Sequence, residues 1–117
     1  MIILKCEEGE SMLKVNFEFR KGVLFVRLRG NLDKDNYKVS ELNNLIENIG
    51  LKYVVINLND ITSIDTYCID CLINFSNKLS SDNGKILICE KDCLIGKRLL
   101  KNRIPLINSE LEAFNLI

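Results

Sequence analysis

The run Tyr53-Val54-Val55-Ile56 carries no polar residue at alternate positions, and Ile86-Leu87-Ile88 repeats the pattern further along. A strand that is apolar on both sides is buried on both faces, which happens in sheets covered by helices. The segment between the two runs is therefore expected to be a helical crossover. From about Thr66 to Leu79, Ile69, Leu72, Ile73, Ser76 and Leu79 fall at helical spacing, and Asn83-Gly84 then marks a turn. Strands joined through a helix of this length pair in parallel.

Upstream the pattern changes to a period of two. Leu13, Val15, Phe17 and Phe19 alternate with Lys14, Asn16, Glu18 and Arg20, and after the turn Arg20-Lys21-Gly22 the residues Leu24, Val26 and Leu28 alternate with Phe25, Arg27 and Arg29. This predicts an antiparallel hairpin with one wet face, which makes the sheet mixed. Gly30 ends the second strand. Val39, Leu42, Ile46 and Ile49 then follow helical spacing up to Gly50. Beyond the second apolar run, Asp92 can cap a helix containing Leu94, Leu99 and Leu100. Ile104 to Ile107 reads as a short strand, and Ser109 with Glu112 has the spacing of a capping box.

The expected order is β-β-α-β-α-β-α-β-α, an α/β fold with a mixed sheet of four to five strands and helices packed on it. Residues 12–117 are expected to form one domain. Residues 1–11 are an N-terminal extension, either a short strand or a frayed tail. Phe25 and Tyr37 are expected on the surface.

Composition removes several function classes. Sixteen Lys and Arg balance sixteen Asp and Glu, whereas a nucleic-acid binder needs a surplus of cations to displace counterions from phosphates. Lys97, Arg98, Lys101 and Arg103 read as a solvated helix face. No apolar run approaches the roughly 20 residues of a membrane span, and the short apolar start is followed at once by Glu7, Glu8 and Glu10. A cytoplasmic chain without membrane insertion is expected, and its five cysteines are expected as free thiols. There is no histidine, which removes the commonest general base and metal ligand. Neither a phosphate-binding P-loop nor a dinucleotide-binding glycine pattern is present. No catalytic residue, cofactor or metal is expected.

Two cysteine arrangements have a chemical reading beside the packing one. Cys68, Cys71, Cys89 and Cys93 have the outline of a four-thiolate zinc set, but they fall on predicted helices and at a strand end rather than on tight turns. Cys68 and Cys71 open a helix after a strand, as a redox pair does, with Pro105 as a candidate neighbour. Asp70 between them disfavours a thiolate. A thiol-disulfide oxidoreductase stays as the alternative, and it requires an accessible Cys68.

The segment Ile61-Thr62-Ser63-Ile64-Asp65-Thr66 leads from the buried strand into the crossover helix. Asp65 or Thr66 can cap that helix, which requires no function. A hydroxyl on an exposed helix N-terminus is also open to a kinase, and a phosphate there sits in the positive end of the helix dipole.

In three segments the chain resembles the STAS domain, the fold of bacterial anti-sigma factor antagonists. Val23 to Asp33 looks like the family's early strand, ending in Gly30-Asn31-Leu32-Asp33. Tyr53 to Ile61 looks like its central strand and the turn after it. Ser63-Ile64-Asp65-Thr66-Tyr67-Cys68-Ile69 falls where the family carries its Asp-Ser signature, and the run from Gly84 to Ile88 also fits. The resemblance implies a non-catalytic module that binds an anti-sigma factor, often a serine/threonine protein kinase. That kinase phosphorylates a Ser or Thr at the start of the second helix, and a phosphatase resets the switch. In the commonest form the acceptor lies two positions after the aspartate, where this chain has Tyr67, and the glycine after it is Cys68. Some members carry the acceptor directly after the aspartate, which makes Thr66 the candidate. Asp33, Ser63, Asp65, Thr66 and Tyr67 are the implied partner contacts. A STAS domain that docks constitutively in a larger complex is a further alternative.

Overall fold

A computed structural model describes residues 2–5, 12–32, 50, 52–91 and 104–116. They form a six-stranded sheet in which spatial order follows chain order: β1 (Ile2–Lys5), β2 (Met12–Arg20), β3 (Val23–Leu32), β4 (Tyr53–Ile64), β5 (Lys85–Cys89) and β6 (Leu106–Ile107). Helix α1 (Thr66–Ser81) links β4 to β5, and a 3-10 turn (Glu110–Glu112) leads into the short α2 (Ala113–Leu116).

The β2–β3 hairpin is closed by Lys21 and Gly22, at φ 50° and 83°. Two positive φ values in a two-residue loop make the turn whose twist matches the flanking strands. The turn sets the register, with Arg20 opposite Val23 and Val15 opposite Leu28. The remaining pairs, β3–β4, β4–β5 and β5–β6, are parallel. The mixed sheet matches the expectation from the alternation. It has six strands rather than four or five because Ile2–Lys5, within the N-terminal extension, pairs antiparallel with β2. The predicted helices around Val39–Ile49 and Leu94–Leu100 lie outside the described residues, as do Tyr37 and the basic cluster 97–103.

Alternation along the strands sends side chains to two cores. Val15, Val26, Leu28, Val54, Ile56, Ile86 and Ile88 face α1, which presents Cys68, Ile69, Leu72, Phe75 and Leu79. Burying each of Leu72, Phe75 and Leu79 stabilises the fold by about 1.5–3 kcal/mol. The predicted stripe of α1 is mostly right, but Phe75 and Cys68 replace Ile73, which is half-buried. On the other face Val23, Phe25, Val55, Leu87, Cys89 and Ile107 pack with Ala113 and Phe114. Phe25 is 1% exposed, not at the surface as its strand position suggests. The C-terminal segment covers it, with its ring 5.7 Å from that of Phe114.

Two turns depart from simple expectation. Gly84 follows α1 so closely that a Cβ there would meet the Lys52 carbonyl oxygen at 2.6 Å. Lys85 N–H donates to that same oxygen at 2.7 Å, starting the β4–β5 pairing. The capping box at Ser109 does not form. The Ser109 side chain makes no cap bond, and Glu112 accepts instead from Asn108 N–H at 3.2 Å. The turn is a tight 3-10 helix, so the Glu112 carboxylate reaches back one residue further than in an α-helix.

Candidate functional site

Strands β3 and β4 run in parallel and end together, which places Leu32 beside Ile64. The ladder continues one step further, with Asp65 N–H donating to the Leu32 carbonyl at 3.2 Å. The chain then turns into α1. Asp65 has extended backbone (φ −97°, ψ 169°), and its carboxylate accepts from Cys68 N–H at 2.8 Å. This is an N-cap, satisfying one of the donors a helix start leaves unpaired. Of the two candidate caps, Asp65 fills the role. Thr66 becomes the first helical residue, and its side chain is exposed. Loops and helix starts beyond the carboxyl ends of parallel strands are where α/β sheets commonly place their sites.

Tyr67 follows, 52% exposed. Its interaction with the Cys71 side chain, one turn on, raises the phenol above its ordinary pKa of 10.0. Ser63 is also exposed, and its Oγ donates to Asn31 Oδ1 at 3.0 Å. The hydroxyl of Thr62 donates to the same oxygen. Two successive strand residues can share one acceptor because the β3–β4 register slips there. Gly30 pairs with Ile61 but Asn31 pairs with Ser63, leaving Thr62 as an extra residue. Gly30, at φ 111°, supplies a backbone state that other residues rarely adopt.

The structure thus brings Ser63, Asp65, Thr66 and Tyr67 together at one end of the sheet, while Asp33 lies outside the described residues. Asn31 is a contributor that sequence reasoning passed over. It stands in the Gly30-Asn31-Leu32-Asp33 motif, and a short amide side chain after a positive-φ glycine was the available signal.

A second polar cluster lies on the sheet face that carries α2. Arg27 donates from Nε to Glu110 Oε2 at 2.8 Å and from Nη2 to Oε1 at 2.7 Å. Asn57 Nδ2 adds a bond to Glu110 Oε2 at 2.9 Å, and Arg27 also pairs with Glu18 at 2.9 Å. The Glu110 bonds anchor the C-terminal segment to the sheet and the Glu18 pair joins β2 to β3, so this cluster is structural.

The cysteine readings do not survive the geometry. Cys68 is fully buried under α1, while Cys89 is buried on the opposite face of the sheet. The sheet itself separates two members of the proposed zinc set, and Cys93 lies outside the described residues. Among the described residues no group of three or more metal-ligating side chains gathers. Cys68, Cys71 and Cys89 are free thiols. With no exposed surface, Cys68 cannot serve as an attacking thiol in exchange. Burial, followed by the nearby Glu110 charge, pushes the Cys89 thiol up from its ordinary value. Among the described residues no helix is long and apolar enough to cross a membrane.

Comparison with known proteins agrees with this architecture. The STAS domain family model matches residues 14–93. An anti-sigma factor antagonist from Mycobacterium paratuberculosis superposes with a TM-score of 0.73 at 17% identity, over 90% of this chain and 93% of that one. The anti-sigma factor antagonist SpoIIAA in its unphosphorylated form gives 0.69 at 14% identity, over 88% and 96%. The phosphorylated form of SpoIIAA, a Bacillus cell fate determinant, gives 0.71 at 14% identity, over 88% and 98%. At these identities the structural likeness establishes the shared fold.

Proposed function

We propose that this chain, which belongs to the STAS domain family, acts as a regulatory protein-binding module in the manner of an anti-sigma factor antagonist, and not as an enzyme. Its partner is an anti-sigma factor with serine/threonine kinase activity, met in the cytoplasm. The docking surface is the end of the sheet where Ser63, Asp65, Thr66 and Tyr67 converge, with Asp33 following β3. Phosphorylation of Thr66 weakens docking, and a phosphatase restores it.

One observation carries this reading: Thr66 is exposed, immediately follows the Asp65 cap and begins α1. A phosphate on its hydroxyl would add about −1.5 to −2 charges at the positive end of the helix dipole. The fold therefore tolerates it, while the surface seen by a partner gains further negative charge beside Asp65. Similar proteins named as anti-sigma factor antagonists support the module's role, and one of them is known in both phosphorylated and unphosphorylated forms.

The test compares Thr66→Glu with the parent for binding to the cell's own anti-sigma factor kinase, with thermal unfolding run in parallel. Binding is expected to weaken by about tenfold or more, equivalent to ~1.4 kcal/mol, with little change in the melting curve. A Glu variant that binds as tightly as the parent moves the reading to constitutive docking, with Thr66 reduced to a helix-start residue.

A further inference from the structure

Four hydroxyl side chains crowd the passage from β4 into α1: Thr62, Ser63, Thr66 and Tyr67. Two of the three aliphatic ones are held: Thr62 and Ser63 both donate to Asn31 Oδ1. Exposed Thr66 has no such bond among the described residues. Exposure alone does not single it out, because Thr62 and Ser63 are exposed as well. What separates them is Asn31.

We propose that Asn31 is a specificity-determining residue: its amide oxygen holds the Thr62 and Ser63 hydroxyls, leaving Thr66 as the aliphatic hydroxyl that can accept a phosphoryl group. The inference rests on the acceptor role given to Thr66 above. In the transfer, Thr66 Oγ1 attacks the γ-phosphorus of ATP and the bond from that phosphorus to the β-γ bridging oxygen breaks. The hydroxyl proton passes to a base on the kinase, and ADP departs. Thr62 or Ser63 could follow the same course only by first withdrawing its proton from Asn31. The Ser63 backbone is also fixed in the β3–β4 ladder, where it pairs with Asn31. Loss of one such hydrogen bond corresponds to roughly a fivefold rise in the population of a free hydroxyl.

The lock is built by the register slip. Without the extra residue at Thr62, the side chains of positions 62 and 63 would point to opposite faces of the sheet and could not share an acceptor. The device therefore needs Gly30 and Asn31 at the end of β3 together with the extra residue Thr62 near the end of β4.

The experiment uses the full chain, Asn31→Ala and Asn31→Asp. Each is incubated with ATP and an extract of the cell that makes the protein, and phosphate is mapped site by site by mass spectrometry. Side-chain χ1 couplings and hydroxyl-proton exchange at Thr62, Ser63 and Thr66 are read by NMR on the same samples without extract. The parent is expected to carry its phosphate on Thr66, with fixed χ1 angles at Thr62 and Ser63. In Asn31→Ala the share of phosphate on Thr62 and Ser63 should rise about fivefold and their χ1 angles should average. Asn31→Asp, which keeps an acceptor oxygen, should retain the parent's pattern. An unchanged phosphate distribution in Asn31→Ala overturns the proposal, as do averaged Thr62 and Ser63 rotamers in the parent. If no phosphate reaches the parent at any site, the acceptor role of Thr66 fails and with it the selectivity. The NMR arm then shows separately whether Asn31 holds the two hydroxyls.

Discussion

Arg27 grips Glu110 with two parallel hydrogen bonds, at 2.8 and 2.7 Å, across a separation of 83 residues. The fork of a guanidinium matches a carboxylate in this geometry, which makes the pair stronger than a single-point contact. It ties the C-terminal segment to β3 and so keeps Phe114 over Phe25. The bond from Arg27, reinforced by Asn57, holds the Glu110 carboxyl below its ordinary value of 4.5. A depressed folded-state pKa gives stability that is complete above the unfolded value and is lost as pH falls through the folded one. Glu110→Gln is therefore expected to cost about 1–2 kcal/mol near neutral pH, and the difference should shrink as pH is taken progressively below the ordinary value of 4.5. Urea midpoints of parent and variant across that range measure it, and parallel curves would contradict the assignment.

Asp65 carries a different kind of load. Its carboxylate holds Cys68 N–H at 2.8 Å while its own N–H extends the sheet. Asp65→Ala should destabilise the domain by about 1 kcal/mol, whereas Asp65→Ser, which keeps a capping oxygen, should lose only a few tenths. Hydrogen exchange at the Cys68 amide should speed up in the alanine variant and stay near the parent's rate in the serine variant. Equal effects of the two substitutions would mean that something other than the cap is at stake.

Much of this was legible in the sequence because burial on both faces and alternation leave different marks. The unbroken runs at Tyr53–Ile56 and Ile86–Ile88 announced central parallel strands, and the period of two announced the hairpin. What the sequence hid depends on contacts distant along the chain. Phe25 looked exposed because its neighbours Arg27 and Arg29 are polar, and only the return of Phe114 covers it. Arg27 looked like a solvated strand residue, although its partner is Glu110. In the candidate site, Asp65 and Thr66 could be placed from local rules of capping. Asn31 could not, because its role comes from a register slip against β4, whose Thr62 and Ser63 lie 31 and 32 positions away along the chain.

Gly84 gives a test of close packing rather than of a favoured backbone angle. An alanine Cβ would meet the Lys52 oxygen at 2.6 Å, and the Leu79 side chain and carbonyl both at 3.0 Å. Two of these neighbours are backbone atoms already committed to hydrogen bonds, so they cannot move cheaply. Gly84→Ala should lower stability by about 1–3 kcal/mol, read as a fall in the urea midpoint at unchanged slope. A neutral result would mean that the β4–β5 edge yields easily.

Tyr67 and Cys71 form a pair that titration can resolve. The phenol of Tyr67 is raised above 10.0 chiefly by its interaction with the Cys71 side chain. A neighbouring group that interacts better with the neutral phenol opposes its ionisation. Ultraviolet titration should therefore show Tyr67 ionising late, and Cys71→Ala should return it towards the ordinary value. The same pair bears on thiol access. In the native state Cys71, half-buried, should alkylate, while Cys68 and Cys89 should react at least about a hundredfold more slowly because only local opening exposes them. If Cys68 were instead the fast thiol, the burial of the α1 start described above would be wrong. An oxidoreductase role would then return to consideration.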